Sequence, residues 1–145
     1  MLMPEKINEL KEEVWRHFKD FQYVFLATVE GKQSRVRPVT LIYFDKRFWI
    51  TTDTESAKVK QIQEKPNIEF CLYLQEDDKD GYVRVSGMAK VIKDRKTKEK
   101  IADHCDFFIK HWKSVDDPNY TLIEIYPKEI EYIRIGEFQP QRFKI

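Results

Sequence analysis

The chain has 145 residues, 41% of them hydrophobic and 14% aromatic, with 26 Lys+Arg against 25 Asp+Glu for a net charge of +1. That length suits one domain over residues 1–145 with a core large enough to fold without staples. The charge balance offers no basic excess for a nucleic-acid partner, and no stretch approaches the ~20 apolar residues that span a bilayer. Two cysteines, Cys71 and Cys105, cannot make a disulfide framework, and Cys71 reads as a buried thiol within an apolar run. Residues 1–5 lack the apolar centre of a signal peptide, so a cytoplasmic address is expected.

Residues 4–19 form an amphipathic helix on the spacing of Ile7, Leu10, Val14 and Phe18, with Pro4 in the first turn. Strands follow at 22–29 and 35–44 around a turn at Gly31, and Asp45-Lys46 turns the chain into a strand at 47–52. Residues 54–65 are helical up to Pro66, with Val59 and Ile62 facing a core and Thr54 a candidate cap. A strand at 67–75, a polar turn at 76–81 and a long strand at 82–93 come next, Gly87 marking a bulge or a close approach. Residues 94–112 are helical in one or two pieces, and a turn at 116–119 leads into closing strands at 120–126 and 129–135. Strands joined by short turns, with few helices between them, predict a mostly β or α+β antiparallel barrel rather than a doubly wound parallel sheet.

Chemistry concentrates in residues 34–60. Arg35 and Arg37 share a strand with Val39 and Thr40, Thr51-Thr52 ends the next strand, and Ser56-x-Lys58 opens a helix. Cations, hydroxyl donors and a helix N-terminus together suit a phosphate. A solvated strand face and an ordinary exposed first helical turn would present the same residues. Pro38 has no backbone donor and places its strand at an edge or a distortion.

The runs Arg35-Val36-Arg37-Pro38-Val39, Phe48-Trp49-Ile50-Thr51-Thr52 and Ser56-Ala57-Lys58 resemble the FMN-binding split-barrel superfamily, closest to the general-stress-protein branch of the pyridoxamine 5′-phosphate oxidase-like proteins. The element order agrees along nearly the whole chain, whereas the specific motifs cover residues 34–60. The resemblance implies a split barrel with an N-terminal helix and peripheral helices, flavin mononucleotide (FMN) as cofactor, and a homodimer whose flavin sites lie at the subunit interface. It also implies an oxidoreductase, with a nicotinamide cofactor as a candidate reductant. A flavin-binding stress or sensing module without turnover, or a haem-binding relative of the same barrel, are the alternatives.

By the same resemblance, Arg37 approaches the flavin phosphate and Val39 and Thr40 run beside the isoalloxazine ring. Thr51 and Thr52 hydrogen-bond the flavin, and Ser56 and Lys58 complete the phosphate cradle. Ala57 stands where the family has an arginine, a contact that Arg35 or Lys60 could replace. Tyr82 stands where the oxidases carry a flavin-binding glutamine, and Lys144 falls where they carry the histidine that follows the counterpart of Arg142. Efficient pyridoxamine-phosphate oxidation is therefore not expected. Trp112 is a second-layer or partner contact to the flavin, His104, Cys105 and His111 lack the second pair a structural zinc site needs, and no metal is expected.

Overall fold

The computed structural model describes residues 4–145. Met1 to Met3, within the stretch read as lacking a signal-peptide centre, lie outside the described residues. Four helices and seven strands follow in the order α1 (Pro4–Trp15), β1 (Phe21–Glu30), β2 (Gln33–Phe44), β3 (Arg47–Asp53), α2 (Ala57–Glu64), β4 (Asn67–Glu76), β5 (Lys79–Ile92), α3 (Arg95–His104), α4 (Phe108–His111), β6 (Tyr120–Ile133) and β7 (Gln141–Lys144). All strand pairs are antiparallel, in the order β3-β2-β1-β4-β5-β6-β7. A further β3–β6 pairing closes the first six of these strands into a barrel.

The turns follow from local chemistry. Asp45 and Lys46 both have positive φ, 56° and 60°, the mirror-image turn whose twist matches a tight hairpin. Gly31 takes φ 61° at the tip of the β1–β2 hairpin. The register of β5 against β6 shifts between Ser86 and Gly87, and a Cβ at Gly87 would collide with the Tyr126 carbonyl oxygen. The bulge and the close approach expected there are thus both present.

Alternation along the strands fills the barrel with Val24, Leu26, Leu41, Phe48, Phe70, Val83, Val85 and Ile123. A second cluster lies outside it, where Ile101, Phe108 and Trp112 pack with Ile42, Trp49 and Leu122 of the wall. The sheet therefore carries apolar side chains on both faces where α3 and α4 cover it.

Four expectations change. The first helix ends at Trp15, and Phe18 reaches the core from a following turn, with its ring 4.7 Å from Phe48. The two closing strands are one strand, β6, because the β5–β6 ladder absorbs Pro127 and Lys128 at the bulge. The polar tail forms β7, pinned by buried Phe143 and by Arg142 against Glu131 at 2.6 Å. Cys71 is only half-buried, because it points outward opposite Phe25, while Cys105 is buried and its thiol is pushed up to about 12 by burial.

Candidate functional site

Strand β2 is paired with β1 along its whole length, but with β3 only at Ile42, Tyr43 and Phe44. Beyond Trp49, β3 leaves β2 and keeps its ladder with β6 as far as Asp53. The wall therefore splits, and a cleft of about 620 Å³ opens between the strands. Pro38, Val39 and Thr40 line one side, Ile50 to Asp53 the other, and α4 with the residues on either side of it roofs the cleft through Phe107, His111 and Trp112. Pro38 sits where the missing N–H leaves no ladder bond to β3 unmade, at the edge its chemistry called for.

The cation of the cleft is Lys58. Its Nζ donates to Thr52 Oγ1 and to Ser56 Oγ, each at 2.7 Å. Ser56 is the N-cap of α2, with extended backbone and no side-chain capping bond, so its hydroxyl serves the lysine instead. Thr54 does not cap the helix either. Its hydroxyl donates to the Pro118 carbonyl at 2.8 Å and tethers the end of β3 to the turn before β6. Burial, then the nearby charge of Arg37, hold the Lys58 ammonium below its ordinary range, against a smaller opposing pull from Asp53.

Arg37 lies behind this group rather than on the cleft wall. Its guanidinium donates to Thr28 Oγ1 at 2.8 Å and to Gln61 Oε1 at 2.7 Å, with a longer contact to the Leu26 carbonyl. Burial disfavours its charge, and so does Arg35. Among the described residues, every hydrogen bond of the Arg37 and Lys58 side chains goes to a neutral oxygen. Two partly buried cations sit within electrostatic reach of each other without a directly bonded carboxylate. Such an arrangement is relieved by an incoming anion.

Val39, Thr40, Thr51, Thr52, Lys58 and Trp112 all line the cleft, and Ser56 joins them through Lys58. Arg35 does not. It is exposed and pairs with Glu30 at 2.9 Å. Tyr82 also stays outside the cleft, donating to Glu131 at 2.7 Å. Trp112 Nε1 donates to Asp53 Oδ1 at 3.0 Å and to the Asn119 carbonyl at 3.1 Å, which fixes the indole against the end of β3. His104 stacks on Phe44 with ring centroids 4.1 Å apart and packs behind Phe21 of the cleft wall rather than lining the cleft itself. Tyr23, Asp53, Phe107, His111 and, behind Arg37, Gln61 are site residues that the spacing did not assign to this cleft. Asp53 directly follows the threonine pair and could have been found there, whereas the others are brought in by β1, the roof and the buried side of α2.

The pyridoxamine 5′-phosphate oxidase family profile matches residues 10–134. The chain belongs to the pyridoxamine 5′-phosphate oxidase family. General stress protein 26 of Bacillus subtilis (strain 168) is 29% identical over 135 residues, covering 92% of this chain and 94% of that protein. Among solved structures, general stress protein 26 from Bacillus anthracis str. Sterne superposes with a TM-score of 0.75 at 25% identity, over 94% of this chain and 99% of that one. A haem-binding protein from Mycobacterium smegmatis shares the fold at a TM-score of 0.70 and 12% identity, over 86% of this chain and 53% of that one. The ring of antiparallel strands with its peripheral helices is the split barrel of this family. Among the described residues no helix is long and apolar enough to cross a membrane, and no group of three or more His, Cys, Asp or Glu side chains could hold a metal ion.

Proposed function

We propose that the cleft binds FMN, with the phosphate at Lys58 and the flavin ring between Val39-Thr40 and Thr51. The carrying observation is the pair of partly buried cations, Lys58 and Arg37, hydrogen-bonded only to neutral oxygens beside the N-terminus of α2. The cleft volume of about 620 Å³ is in the range of cofactor sites, and its aromatic roof is suited to a planar ring. Membership in the oxidase family supports the same reading.

When bound, FMN supplies reversible electron transfer, so the chain's part is to bind, orient and shield. Lys58 neutralises the phosphate, Thr52 and Ser56 hold the lysine in place, and Trp112 keeps the far wall closed through Asp53. We assign the protein as an oxidoreductase that takes reducing equivalents from a nicotinamide cofactor for a small acceptor. Anaerobic mixing of the FMN-loaded protein with reduced nicotinamide cofactor is expected to bleach the flavin. Absence of bleaching would favour a binding or sensing role. Lys144 at the histidine position leads to negligible oxygen consumption with pyridoxamine phosphate, and robust saturable turnover would overturn that part.

The flavin reading is tested by the visible spectrum of the purified protein after FMN loading. Flavin bands that remain after desalting support it, and an intense Soret band after haem addition with no retained flavin would replace it with a haem site. We further propose a homodimer with the cleft at its interface. Tyr23 lines the cleft and is 82% exposed, and Phe25, Val36 and Tyr73 on the same outer wall are 52%, 69% and 51% exposed. Apolar side chains grouped in this way mark an interaction surface. A second subunit that completes the site makes FMN stabilise the dimer by mass action. Light scattering after size exclusion should show a dimer strengthened by FMN, and a protein still monomeric at FMN saturation would refute the shared site.

A further inference from the structure

A glutamine buried in a short helix needs a reason, because an amide removed from water costs free energy unless its bonds are replaced. Gln61 lies between Val59 and Ile62 on the inner side of α2 and is 5% exposed. Its bonds are replaced in full view of the cradle. Oε1 accepts from Arg37 Nη2 at 2.7 Å and from the Thr28 hydroxyl at 2.5 Å, and Nε2 donates to Glu30 Oε2 at 3.3 Å. Thr28 Oγ1 in turn accepts from Arg37 Nη1 at 2.8 Å, so its proton is committed to Gln61 and its oxygen to Arg37. The guanidinium is clamped from two sides by uncharged groups.

We infer that Gln61, seconded by Thr28, is a positioning residue that holds Arg37 in place without neutralising it, so that the cradle keeps its full positive charge for a phosphomonoester. The inference rests on the FMN reading and names the residue that tunes it. A carboxylate would accept the same two bonds from Arg37 and Thr28 in nearly the same shape, yet it would lose the donor to Glu30 and cancel the charge the ligand needs. The nearest carboxylate in the network, Glu30, is engaged by Arg35, whose Nη2 and Nε reach it at 2.9 and 3.2 Å. Arg35 thereby balances Glu30, and the uncharged amide of Gln61 stands between that carboxylate and the Arg37 guanidinium.

The test compares FMN with riboflavin, which differs by the phosphate alone, on wild type, Gln61→Glu, Thr28→Val and Lys58→Ala. Gln61→Glu is expected to weaken FMN about tenfold or more, the scale of one charge-assisted contact, while riboflavin stays within about twofold. Thr28→Val, which keeps shape and adds no charge, is expected to shift the same ratio in the same direction by a smaller factor, and it carries the test if Gln61→Glu does not fold. A purely structural role would weaken both ligands in proportion, and that outcome, or no change in either, overturns the inference. If wild type itself does not prefer FMN and Lys58→Ala changes nothing, the FMN reading falls instead. The two failures are therefore separable.

Discussion

Two walls of one barrel obey the same backbone accounting with opposite results. Strands β4 and β5 are paired from Asn67–Met88 to Glu76–Lys79, and β5 continues against β6 from Tyr82–Ile133 to Ile92–Leu122 with a single bulge. There the ladder satisfies the main chain, and the side chains are left to fill the barrel. Between β2 and β3 the ladder stops after three residue pairs, and the strands separate. Polar groups released from pairing must meet water or a ligand, and the residues gathered there are a lysine, threonines, a serine and aromatic rings. Continuity of pairing makes a wall into structure, and its interruption makes a wall into a site.

Breaking the zipped side should cost the fold and spare the ligand preference. Phe70 of β4 is 0% exposed, with its ring against Phe18 and Phe48, and Phe70→Ala is expected to lower stability by about 3–5 kcal/mol in urea unfolding. Its remaining folded fraction should keep the wild-type ratio of FMN to riboflavin affinity. A changed ratio would mean that the two walls are not separable.

Lys58→Ala is the complementary cut. Loss of its charge should weaken FMN by roughly 1.5–3 kcal/mol in calorimetric titration, with little effect on riboflavin or on the unfolding midpoint. Because burial and Arg37 disfavour the Lys58 ammonium, deleting it removes a mild liability of the ligand-free fold.

The pH dependence sharpens the same point with a smaller effect. The Lys58 pKa is lowered in the folded chain from its ordinary 10.5, so the ligand-free fold gains stability as pH rises through the window between the lowered value and 10.5. A bound phosphate favours the ammonium and moves that pKa back up. FMN binding therefore takes up a proton in this window, and FMN affinity should fall as pH rises through it. Riboflavin binding, and FMN binding to Lys58→Ala, should be flat over the same range.

The gentlest probe is Trp112→Phe, which removes the single N–H shared between Asp53 and the Asn119 carbonyl while keeping an aromatic roof. It should cost about 0.5–1.5 kcal/mol of stability and weaken FMN and riboflavin alike, since the indole acts on the wall rather than on the phosphate. A selective loss of FMN would place Trp112 in the cradle instead.

Most strands and their hairpin turns were readable in the residues, because period-two alternation and turn residues such as Asp45-Lys46 and Gly31 act locally. The hydrogen-bonded group of Thr52, Ser56 and Lys58 was readable for the same reason, since it is nearly contiguous along the chain. What sequence could not show was set by distant pairing. Arg35 and Arg37 look equivalent, two apart on one face of a strand, yet their register against β1 differs: Arg37 lies opposite Leu26 and reaches Gln61 and Thr28, while Arg35 lies nearer the hairpin tip and pairs with Glu30. Phe18 imitated a helical position because its turn docks on Phe48, and β7 was hidden because a short strand is held by one buried ring, Phe143, and by the Arg142–Glu131 pair. Gln61 carried no motif signal at all beyond being polar where the helix is buried.

The central claim is that the split in the barrel wall is a phosphate-selective flavin cleft, and a paired titration of the wild-type protein with FMN and riboflavin tests it most directly. Quenching of flavin fluorescence should report FMN binding at least about tenfold tighter than riboflavin at neutral pH, as one or more charge-assisted contacts require. Equal affinities for the two ligands would contradict the account.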